Sequence, residues 1–252
     1  MKSYKKLIKV YGERNTNTNY ISKLIRLNLN VLELPGVAPS RILQLKEMLS
    51  GNELVVDLYF HLTFKNNLGW KHMCVKPVTK LTKCKIYDSN VSFLTITKNP
   101  YSWLLSLYRN PYHQYGKKIV GFEKFLITPW KTLGRENCSK ILKSPIDLWN
   151  KKNASYLQLD GINSLNIKTE YIYQDPIDII NKISDRFHIH KISNEFENYT
   201  LSTKDENKDF TYYRRYYLEE MWRDSISKDA ISIIGESVDK NLMNHFGYEV
   251  LS

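Results

Sequence analysis

The sequence predicts an α/β domain of three layers, in which helices cover both faces of a mostly parallel central sheet. Three short runs of apolar and β-branched residues, at 7–10, 91–97 and 164–169, have the composition of buried strands. Each run is followed by a segment whose apolar residues recur at helical spacing. Strands that alternate with helices in this way join as parallel neighbours, because the helix returns the chain to the edge where it started. The 252 residues suit one domain, 1–252, with a helical C-terminal region from about residue 210.

The composition is that of a basic protein and points towards a polyanionic partner. The formal net charge is +11 at neutral pH. Such a charge favours a nucleotide, a nucleic acid, an acidic glycan or an anionic membrane, and does not choose among them. Tyrosine (18 residues) and phenylalanine (9) are abundant enough that nucleic-acid stacking stays open as an alternative.

The cysteines and the hydropathy pattern indicate the setting. Cys74, Cys84 and Cys138 are odd in number and form no CxxC pair, so neither a disulfide framework nor a zinc site is indicated. No apolar run approaches the length that spans a bilayer, and residues 1–6 lead into the first strand instead of a signal sequence. We therefore expect a cytoplasmic protein without a transmembrane segment.

The first strand leads through a polar turn into an amphipathic helix, and the chemistry is expected at this turn. A helix N-terminus presents unpaired backbone N–H groups and a partial positive charge, so it can hold phosphate or sulfate. In the alternative interpretation, Thr16 or Thr18 simply caps the helix and the turn is a solvated loop. The turn lacks the GK[ST] ending of a Walker A loop. The candidate anion-binding residues are Gly12, Arg14, Asn15, Thr16, Asn17, Thr18, Asn19 and Tyr20.

The next segment contains a lysine and a histidine side by side. Residues 41–49 predict a short helix, and the apolar segment 54–62, which includes β-branched residues, could form a strand. Lys71 and His72 then follow a glycine and a tryptophan. A lone histidine is more often structural than catalytic, but the cation beside this one favours a functional role.

The strand at 91–97 ends in a second candidate anion site. Pro100 fits the first turn of a helix, so residues 101–109 should be helical. Lys98 at the carboxyl end of the strand and Ser106, eight residues later, could then face one bound anion. Open α/β sheets bind ligands at this position. Alternatively, Lys98 is a surface charge and Ser106 a small helix-packing residue.

The remaining segments predict a loop followed mainly by helices. Residues 109–118 form a polar and aromatic loop that could cover a substrate. The charged, weakly apolar segment 193–209 is interpreted as a mobile loop. Helices are predicted over 145–159, from 176 to 187, from 212 through 222, and from 227 to 246.

Three of these segments resemble, in the same order, those of sulfotransferases that use 3′-phosphoadenosine-5′-phosphosulfate. The segment Tyr11–Tyr20 looks like the loop for the 5′-phosphosulfate. The segment Lys98–Tyr108 looks like the one for the 3′-phosphate, with a serine eight residues after its basic residue. Residues 169–176 are similar to a Tyr-Glu-Asp segment ending in Asp-Pro, and the closing Phe246-Gly247-Tyr248 is found in bacterial members.

The chain departs from the family pattern at four positions. Asn15 stands where the loop usually has lysine, and Asn17 where it has glycine. Trp103 replaces the motif arginine that follows the proline. Lys98 replaces the first arginine, which keeps the charge but loses the bidentate fork. Arg14 is the candidate to take over the role of the loop lysine.

The resemblance implies a sulfotransferase of P-loop NTPase-like architecture. Such an enzyme transfers a sulfuryl group from the nucleotide donor to a hydroxyl, here of a glycan or another polar acceptor. We expect no metal, because the sequence offers no ligand cluster and arginine, lysine and the helix dipole can supply the positive charge. The resemblance also implies a Lys/His segment between the two cofactor motifs, where Lys71 and His72 lie. We expect His72 to be the general base, because an imidazole can accept a proton near neutral pH, with Glu170 and Asp57 less favoured. Arg14 and the backbone N–H groups of the turn would stabilise the leaving oxygen, helped by Thr16, Thr18 and Lys71. The possible acceptor lining is Tyr112, His113, Tyr115 and Trp130.

Two other functions remain open on the sequence alone. A P-loop-type small-molecule kinase would share the strand, turn and helix, but it should carry GK[ST] and a carboxylate for magnesium. A non-enzymatic basic protein that binds nucleic acid would show affinity that falls steeply with salt. Nucleic acid is the less expected partner.

Overall fold

A sheet of parallel strands forms the centre of the molecule, as the sequence predicts. The computed structural model describes residues 6–88, 90–114, 119–200 and 208–251. Its strands are β1 (Leu7–Gly12), β2 (Leu32–Glu33), β3 (Val91–Thr97), β4 (Trp130–Lys131), β5 (Ile141–Leu142) and β6 (Ser164–Lys168). Four of them make the central sheet in the order β2-β1-β3-β6, and each neighbouring pair is parallel. The strands β4 and β5 form a separate antiparallel pair.

Helices make up most of the rest of the described chain. None of them, in the described ranges, is long and apolar enough to cross a bilayer. The helices are α1 (Thr18–Asn28), α2 (Ser40–Met48), α3 (Leu54–Asn67), α4 (Val78–Leu81), α5 (Pro100–Arg109), α6 (Phe122–Ile127), α7 (Pro145–Tyr156), α8 (Thr169–Gln174), α9 (Pro176–Phe187), α10 (Phe210–Leu218), α11 (Lys228–Ser237) and α12 (Lys240–His245).

The core has two parts, one on each face of the sheet. Successive side chains of a strand point to opposite faces, so Ile8 and Val10 of β1 join one part and Tyr11 joins the other. The first part is completed by α1, α8 and α9, and the second by α3, α5, α7 and α11. This arrangement confirms the predicted three-layer α/β architecture.

The strand–helix boundary at residue 100 follows the local sequence. The strand β3 covers the predicted residues, and Pro100 is the first residue of α5. The side chain of Asn99 caps this helix by accepting a hydrogen bond from the backbone N–H of Tyr101 at 3.0 Å. Because proline has a fixed φ and no N–H, it suits the first helical position, where that N–H would have no helical partner.

The predicted strand at 54–62 is wrong, because this segment is part of the helix α3. Its buried residues Val56 and Phe60 are four apart, which places them on one face of a helix. Leu68 ends the helix in the left-handed conformation, with φ of 59°. The apolar outer residues of α3 hide the helical period in the sequence. The two-residue strand β2 and the pair β4–β5 were not predicted.

Two predicted loops lie partly outside the described residues. In the segment 193–209, the described residues up to 200 contain no helix or strand, and residues 201–207 lie outside the description. The mobility of this segment therefore stays a prediction. Tyr115, one of the candidate acceptor residues, also lies outside the described residues.

A fully buried lysine in β1 ties two segments to the sheet, the loop after β2 and the C-terminal end of α3. The ammonium group of Lys9 donates to the carbonyl oxygens of Pro35 (2.7 Å), Asn67 (2.7 Å) and Gly69 (2.5 Å). Burial lowers the pKa of Lys9 to about 7. These bonds hold the segment before Lys71 and His72 against the middle of the first strand.

Candidate functional site

One cavity of about 680 Å³ lies beyond the ends of β1 and β3. Both predicted anion-binding segments contribute to its wall, together with the lysine–histidine pair. Gly12 and Thr16 lie behind this wall and support it. The predicted residues that line the cavity are Arg14, Asn15, Asn17, Thr18, Asn19, Tyr20, Lys71, His72, Lys98 and Ser106.

The turn between β1 and α1 depends on asparagines in the left-handed conformation. Asn15 has φ of 64° and Asn17 has φ of 62°. Asparagine tolerates this region better than most residues, so Asn17 can stand where the resembling loop has glycine. The hydroxyl of Thr16 closes the turn by donating to the carbonyl oxygen of Glu13 at 2.6 Å.

The alternative in which a threonine caps α1 is wrong. The N-cap residue is Asn17, and its side chain is engaged elsewhere. Its amide donates to the hydroxyl of Tyr217 (3.3 Å) and accepts from the hydroxyl of Tyr173 (3.2 Å). Thr16 is instead used inside the turn, so the start of α1 faces the cavity without a threonine cap.

Lys98 and Ser106 lie together, as their eight-residue spacing predicts. The ammonium group of Lys98 is 2.9 Å from the Ser106 hydroxyl oxygen. It also donates to the hydroxyl of Tyr217 (3.1 Å) and to the backbone carbonyl of Asn15 (3.3 Å). Burial lowers the pKa of Lys98 to about 7. The contact with Asn15 joins the second anion segment directly to the first.

Aromatic rings from α8 and α10 form one wall of the cavity and were missed by the sequence reasoning. Tyr173 stacks on Tyr20 (ring centroids 5.3 Å apart) and on Tyr217 (5.1 Å). Phe210 and Tyr213 extend the same wall. The sequence does contain a pattern that could have predicted this wall: the aromatic residues 210, 213 and 217 recur at helical spacing and share one face of α10. Their position beside Lys98 depends on packing between segments far apart in sequence.

His72 is buried and held as a neutral imidazole. Its Nδ1 lies 2.5 Å from the carbonyl oxygen of Gly12, which can only accept a hydrogen bond. The proton therefore sits on Nδ1, and Nε2 carries the lone pair. Burial, followed by the charge of Lys71, lowers the pKa of His72 well below its usual value. A histidine in this state can accept a proton at neutral pH.

Lys71 is fixed beside the N-terminal end of α1. Its ammonium group donates to the side-chain oxygen of Asn19 at 2.6 Å. Its backbone carbonyl accepts from the N–H of Gly12 at 2.9 Å, so this segment is attached to the end of β1. Burial lowers the pKa of Lys71 to about 8.

Arg14 projects between aromatic rings at the edge of the cavity. Its guanidinium carbon lies 4.5 Å from the ring centroid of Tyr112 and 5.6 Å from that of Trp70. Its buried Nε has no hydrogen-bond partner among the described residues. The backbone carbonyl of Arg14 accepts from the indole N–H of Trp103 at 2.8 Å. Trp103, which replaces the motif arginine, thus holds the turn instead of contacting an anion through charge.

A buried charge network supports the turn from behind. The ammonium group of Lys152 lies 2.9 Å from a Glu136 carboxylate oxygen and 3.1 Å from one of Glu13. It also donates to the backbone carbonyl of His72. Burial opposes the charge on Lys152, but the two carboxylates raise its pKa well above the usual value. Lys152 therefore links the turn to the histidine segment, a role that the sequence did not indicate.

The two carboxylates named as alternative bases lie outside the cavity wall. Asp57 accepts from the guanidinium of Arg135 at 2.7 Å. Glu170 accepts from the backbone N–H of Asn99 and from the hydroxyl of Tyr248, each at 3.0 Å. Both carboxylates have structural partners, so of the three candidate bases only His72 lies in the wall.

The candidate acceptor residues are only partly at the cavity. Tyr112 lines it, with its hydroxyl donating to Glu13 at 2.8 Å. Trp130 is buried behind Tyr112, with ring centroids 5.4 Å apart. His113 lies 3.3 Å from Glu53 in a separate polar cluster. In the described part of the chain, no cluster of His, Cys, Asp and Glu has the arrangement of a metal site.

Comparison with known proteins gives a structural likeness and no match by sequence. No family model matches the chain, and no curated protein matches it. Among solved structures, the sulfotransferase domain from the curacin biosynthetic pathway aligns with 98% of this chain and 99% of that domain. The sequence identity is 8% and the TM-score is 0.46. The function must therefore be inferred from the residues of the cavity.

Proposed function

We propose that this protein is a sulfotransferase that uses 3′-phosphoadenosine-5′-phosphosulfate as donor and a hydroxyl of a glycan or another polar molecule as acceptor. The observation that carries the proposal is that the turn after β1 and the Lys98–Ser106 pair line one cavity, with His72 in the same wall. A nucleotide with anionic groups at the 5′ and 3′ positions of its ribose requires two anion-binding sites that face the same cavity.

In this proposal the 5′-phosphosulfate binds at the turn and the start of α1. Backbone N–H groups at a helix start and the partial positive charge of the helix favour an anion there. Lys71 and Arg14 add two cations beside the same turn. The side chains of Thr18 and Asn19 lie within the wall and supply further donors.

The 3′-phosphate binds in this proposal at Lys98 and Ser106. The hydrogen-bond partners of the Lys98 ammonium are a serine hydroxyl, a tyrosine hydroxyl and a backbone carbonyl, all of them neutral. A buried ammonium with neutral partners has a depressed pKa, and a phosphate would restore its charged form. Lys98 is therefore suited to select a nucleotide with a phosphate at this position.

The adenine ring has a candidate platform in the aromatic wall. Tyr20, Tyr173 and Tyr217 present stacked rings beside Lys98. A purine can stack on such rings even where no side chain forms hydrogen bonds with the edge of the base. This wall accounts for an adenine nucleotide better than the two anion sites alone would.

The proposed reaction is an in-line transfer with His72 as general base. The acceptor hydroxyl oxygen forms a bond to sulfur while its proton passes to Nε2 of His72. The bond between sulfur and the bridging oxygen breaks, and adenosine 3′,5′-bisphosphate leaves with the added negative charge. Lys71 and Arg14 stabilise that charge, because preorganised cations act where charge develops.

The acceptor side of the cavity is polar in character. Arg14, Asn110 and Tyr112 line it and offer hydrogen-bonding groups for hydroxyls. A sugar or another polyol presents several hydroxyls at once, so it fits such a wall better than an apolar alcohol. The proposal therefore names a glycan or another polar acceptor.

A thermal-shift comparison tests donor binding. Adenosine 3′,5′-bisphosphate should raise Tm by about 5 to 10 °C at a hundredfold excess over Kd, since specific binding stabilises the folded state. The same concentration of 5′-AMP should raise Tm less, because it lacks the group that Lys98 binds. Lys98→Met should remove the difference between the two nucleotides.

A matched lysine controls for the loss of charge. Lys168 on β6 donates to the carbonyl oxygen of Gly247 and lies outside the cavity wall, so Lys168→Met should keep the preference for the bisphosphate. Equal shifts with both nucleotides in the unaltered protein would contradict the proposal. A larger shift with ATP and magnesium would indicate a kinase instead. Nucleotide affinity that falls steeply with salt and shows no preference for the 3′-phosphate would indicate a nucleic-acid-binding protein.

A further inference from the structure

A row of leucines runs along the outer face of α3. Leu54, Leu58 and Leu62 are spaced by four residues and are 69%, 57% and 70% exposed. The opposite face of the same helix is buried through Val56 and Phe60. A helix that is apolar on both faces is usually covered on both. We call Leu54, Leu58 and Leu62 the leucine ridge.

The turn before α3 continues the apolar surface. Met48 is 81% exposed and Leu49 is 52% exposed, and both directly precede the turn that leads into α3. The helix α2, which packs beside α3, contains no buried residue. Exposed apolar side chains on neighbouring segments of this kind mark a contact with another molecule or with a membrane.

Lysines surround the other end of the leucine ridge. Lys65 follows Leu62 by three residues and shares its helix face. The backbone N–H of Ile86 donates to the carbonyl of Lys65 at 3.1 Å, which brings the segment 80–86 beside it. We call the exposed side chains of this group the lysine rim: Lys65, Lys80, Lys83 and Lys85.

The carboxylates of the region do not neutralise the lysine rim. The sequence has no aspartate or glutamate between residues 58 and 87, and the carboxylate of Asp88 accepts hydrogen bonds from Asn90, at 2.8 Å from its backbone N–H and 3.4 Å from its amide. Asp57, at the start of α3, is paired with Arg135 at 2.7 Å on another side of the helix. The lysine rim therefore presents a net positive charge next to an exposed apolar surface.

We propose that the leucine ridge and the lysine rim bind the surface of an anionic phospholipid membrane. The leucines would enter the boundary between headgroups and acyl chains, and the lysines would face the anionic headgroups. An apolar helix face combined with a lysine cluster gives the two attractions that surface binding requires. The contact would lie in the plane of the membrane.

The composition of this surface favours a membrane over a protein partner. The centres of protein–protein interfaces are enriched in aromatic residues and arginine and depleted in lysine. The leucine ridge and the lysine rim contain no aromatic residue and no arginine, and half or more of their side chains are lysines. A second copy of this chain would also carry a net charge of +11 and would be repelled. An anionic membrane complements both the charge and the aliphatic surface.

Co-sedimentation with lipid vesicles tests the proposal on the full chain. The protein should bind vesicles of phosphatidylcholine containing about one third phosphatidylglycerol, and should bind pure phosphatidylcholine at least about tenfold more weakly. Leu58→Glu/Leu62→Glu should weaken binding to the anionic vesicles at least about tenfold, because it places carboxylates in the contact. Lys80→Gln/Lys83→Gln should weaken it less and reduce its dependence on salt.

Two isoleucines on the other side of the sheet provide the matched control. Ile177 and Ile192 are exposed to a similar degree, and their neighbours Ile179 and Ile189 belong to the core part on the opposite face from α3. Ile177→Glu/Ile192→Glu adds the same charge and should bind vesicles like the unaltered protein. Each variant should keep the nucleotide-induced Tm shift, because this shift depends on an intact fold and cavity and not on binding to vesicles. Met48→Asp is a second, single-substitution test of the apolar surface, and it should also weaken binding to the anionic vesicles.

Three results would overturn the proposal. The first is that the unaltered protein does not bind the anionic vesicles. The second is equal binding by the leucine-ridge variant, Met48→Asp and the isoleucine control, which would indicate general adsorption of a basic protein. The third is a dimer in size-exclusion chromatography that the leucine-ridge substitutions dissociate, which would assign the surface to a second copy. None of these results depends on sulfuryl transfer.

Discussion

His72 illustrates how burial can set the chemistry of a single residue. The imidazole is fixed by Gly12 through Nδ1 and is kept neutral by burial and by the charge of Lys71. A free histidine would be partly protonated near pH 6.5 and would lose its capacity as a base in that range. In this protein the neutral form persists to lower pH, so the proposed base is available throughout the neutral range.

The residue-scale prediction concerns His72. His72→Gln should lower kcat for sulfuryl transfer about a hundredfold or more, which corresponds to about 3 kcal/mol of barrier, because the acceptor proton loses its base. In the unaltered enzyme kcat/KM should not decline as pH falls from about 7 to about 6, since the pKa of His72 lies well below 6.5. A turnover assay with labelled donor measures both effects.

The outcome for His72 can be separated from damage to the fold. His72→Gln should retain the Tm shift with adenosine 3′,5′-bisphosphate, because the proposed donor contacts come from the turn and Lys98. Turnover at the original rate in this variant would remove His72 from the mechanism. The fold and donor binding could still stand in that case.

At the scale of elements, the site is built by a strand, a turn and a helix that meet at Gly12. A side chain at Gly12 would place its Cβ 2.7 Å from Cγ2 of Thr18 and 2.8 Å from Oγ1 of Thr16. It would also lie 3.1 Å from Cβ of Ile96 on β3. The absence of a side chain therefore allows α1 to start directly above the end of β1.

The element-scale prediction is that Gly12→Ala disturbs both stability and donor binding. Overpacking of this kind costs about 1 to 3 kcal/mol in the free energy of unfolding, and displacement of Thr16 and Thr18 would distort the turn. The change is measured by denaturant unfolding and by the Tm shift with adenosine 3′,5′-bisphosphate. We expect a lower midpoint and a smaller nucleotide shift.

Gly51 offers a control at a turn far along the chain. Its φ is +75°, and a Cβ added at this residue would meet no described atom within 4 Å. Gly51→Ala should therefore lose about 1 kcal/mol through backbone strain alone and keep the full nucleotide shift. A Gly12→Ala protein with unchanged stability and an unchanged nucleotide shift would contradict the role assigned to this close approach.

At the scale of the whole molecule, buried lysines connect the sheet to its surroundings. Lys9 on β1 donates to three backbone carbonyls, Lys98 follows β3 and contacts the turn, and Lys152 on α7 joins the turn to the His72 segment. Burying an ammonium group is unfavourable unless carbonyls or carboxylates compensate for the lost water. Lys152 has two carboxylates, whereas Lys9 and Lys98 have depressed pKa values.

The molecular-scale prediction is a pH dependence of folding stability that Lys98→Met removes. The pKa of Lys98 is about 7 in the folded protein and near its ordinary 10.5 when unfolded, so between these values the unfolded chain binds more protons. Stability from this group therefore rises with pH through that window, by up to about 1.4 kcal/mol per pH unit. The difference in unfolding free energy between the unaltered protein and Lys98→Met should grow from about pH 7.5 to about pH 9.5.

The comparison of two proteins removes the contribution of every other titrating group. Urea unfolding at each pH gives both free energies on the same scale. A difference that stays constant over this range would mean that Lys98 keeps its ordinary pKa. The depressed value in the cavity would then be contradicted.

Local sequence was sufficient where neighbouring residues decide the conformation. The strand at 91–97, the start of α5 at Pro100 and the turn after β1 follow from runs, proline and polar residues within a few positions of each other. The segment 54–62 was misinterpreted because the exposed leucines of α3 hide the difference between a helix and a buried strand. A helix with exposed apolar residues on its outer face has the same apolar composition as a strand that is covered on both faces.

The sequence by itself determined the three longer strands β1, β3 and β6, the helices α1 and α5 that follow the first two, and the two candidate anion-binding segments. Only the tertiary structure decided that both segments line one cavity, that Tyr217 and Lys152 support them, and that His72 is neutral. These properties depend on burial and on contacts such as that between Lys98 and Tyr217, which are 119 positions apart. Spacing along a chain can place two residues on one helix face, but packing determines which distant residues exclude water from them and so set their charge.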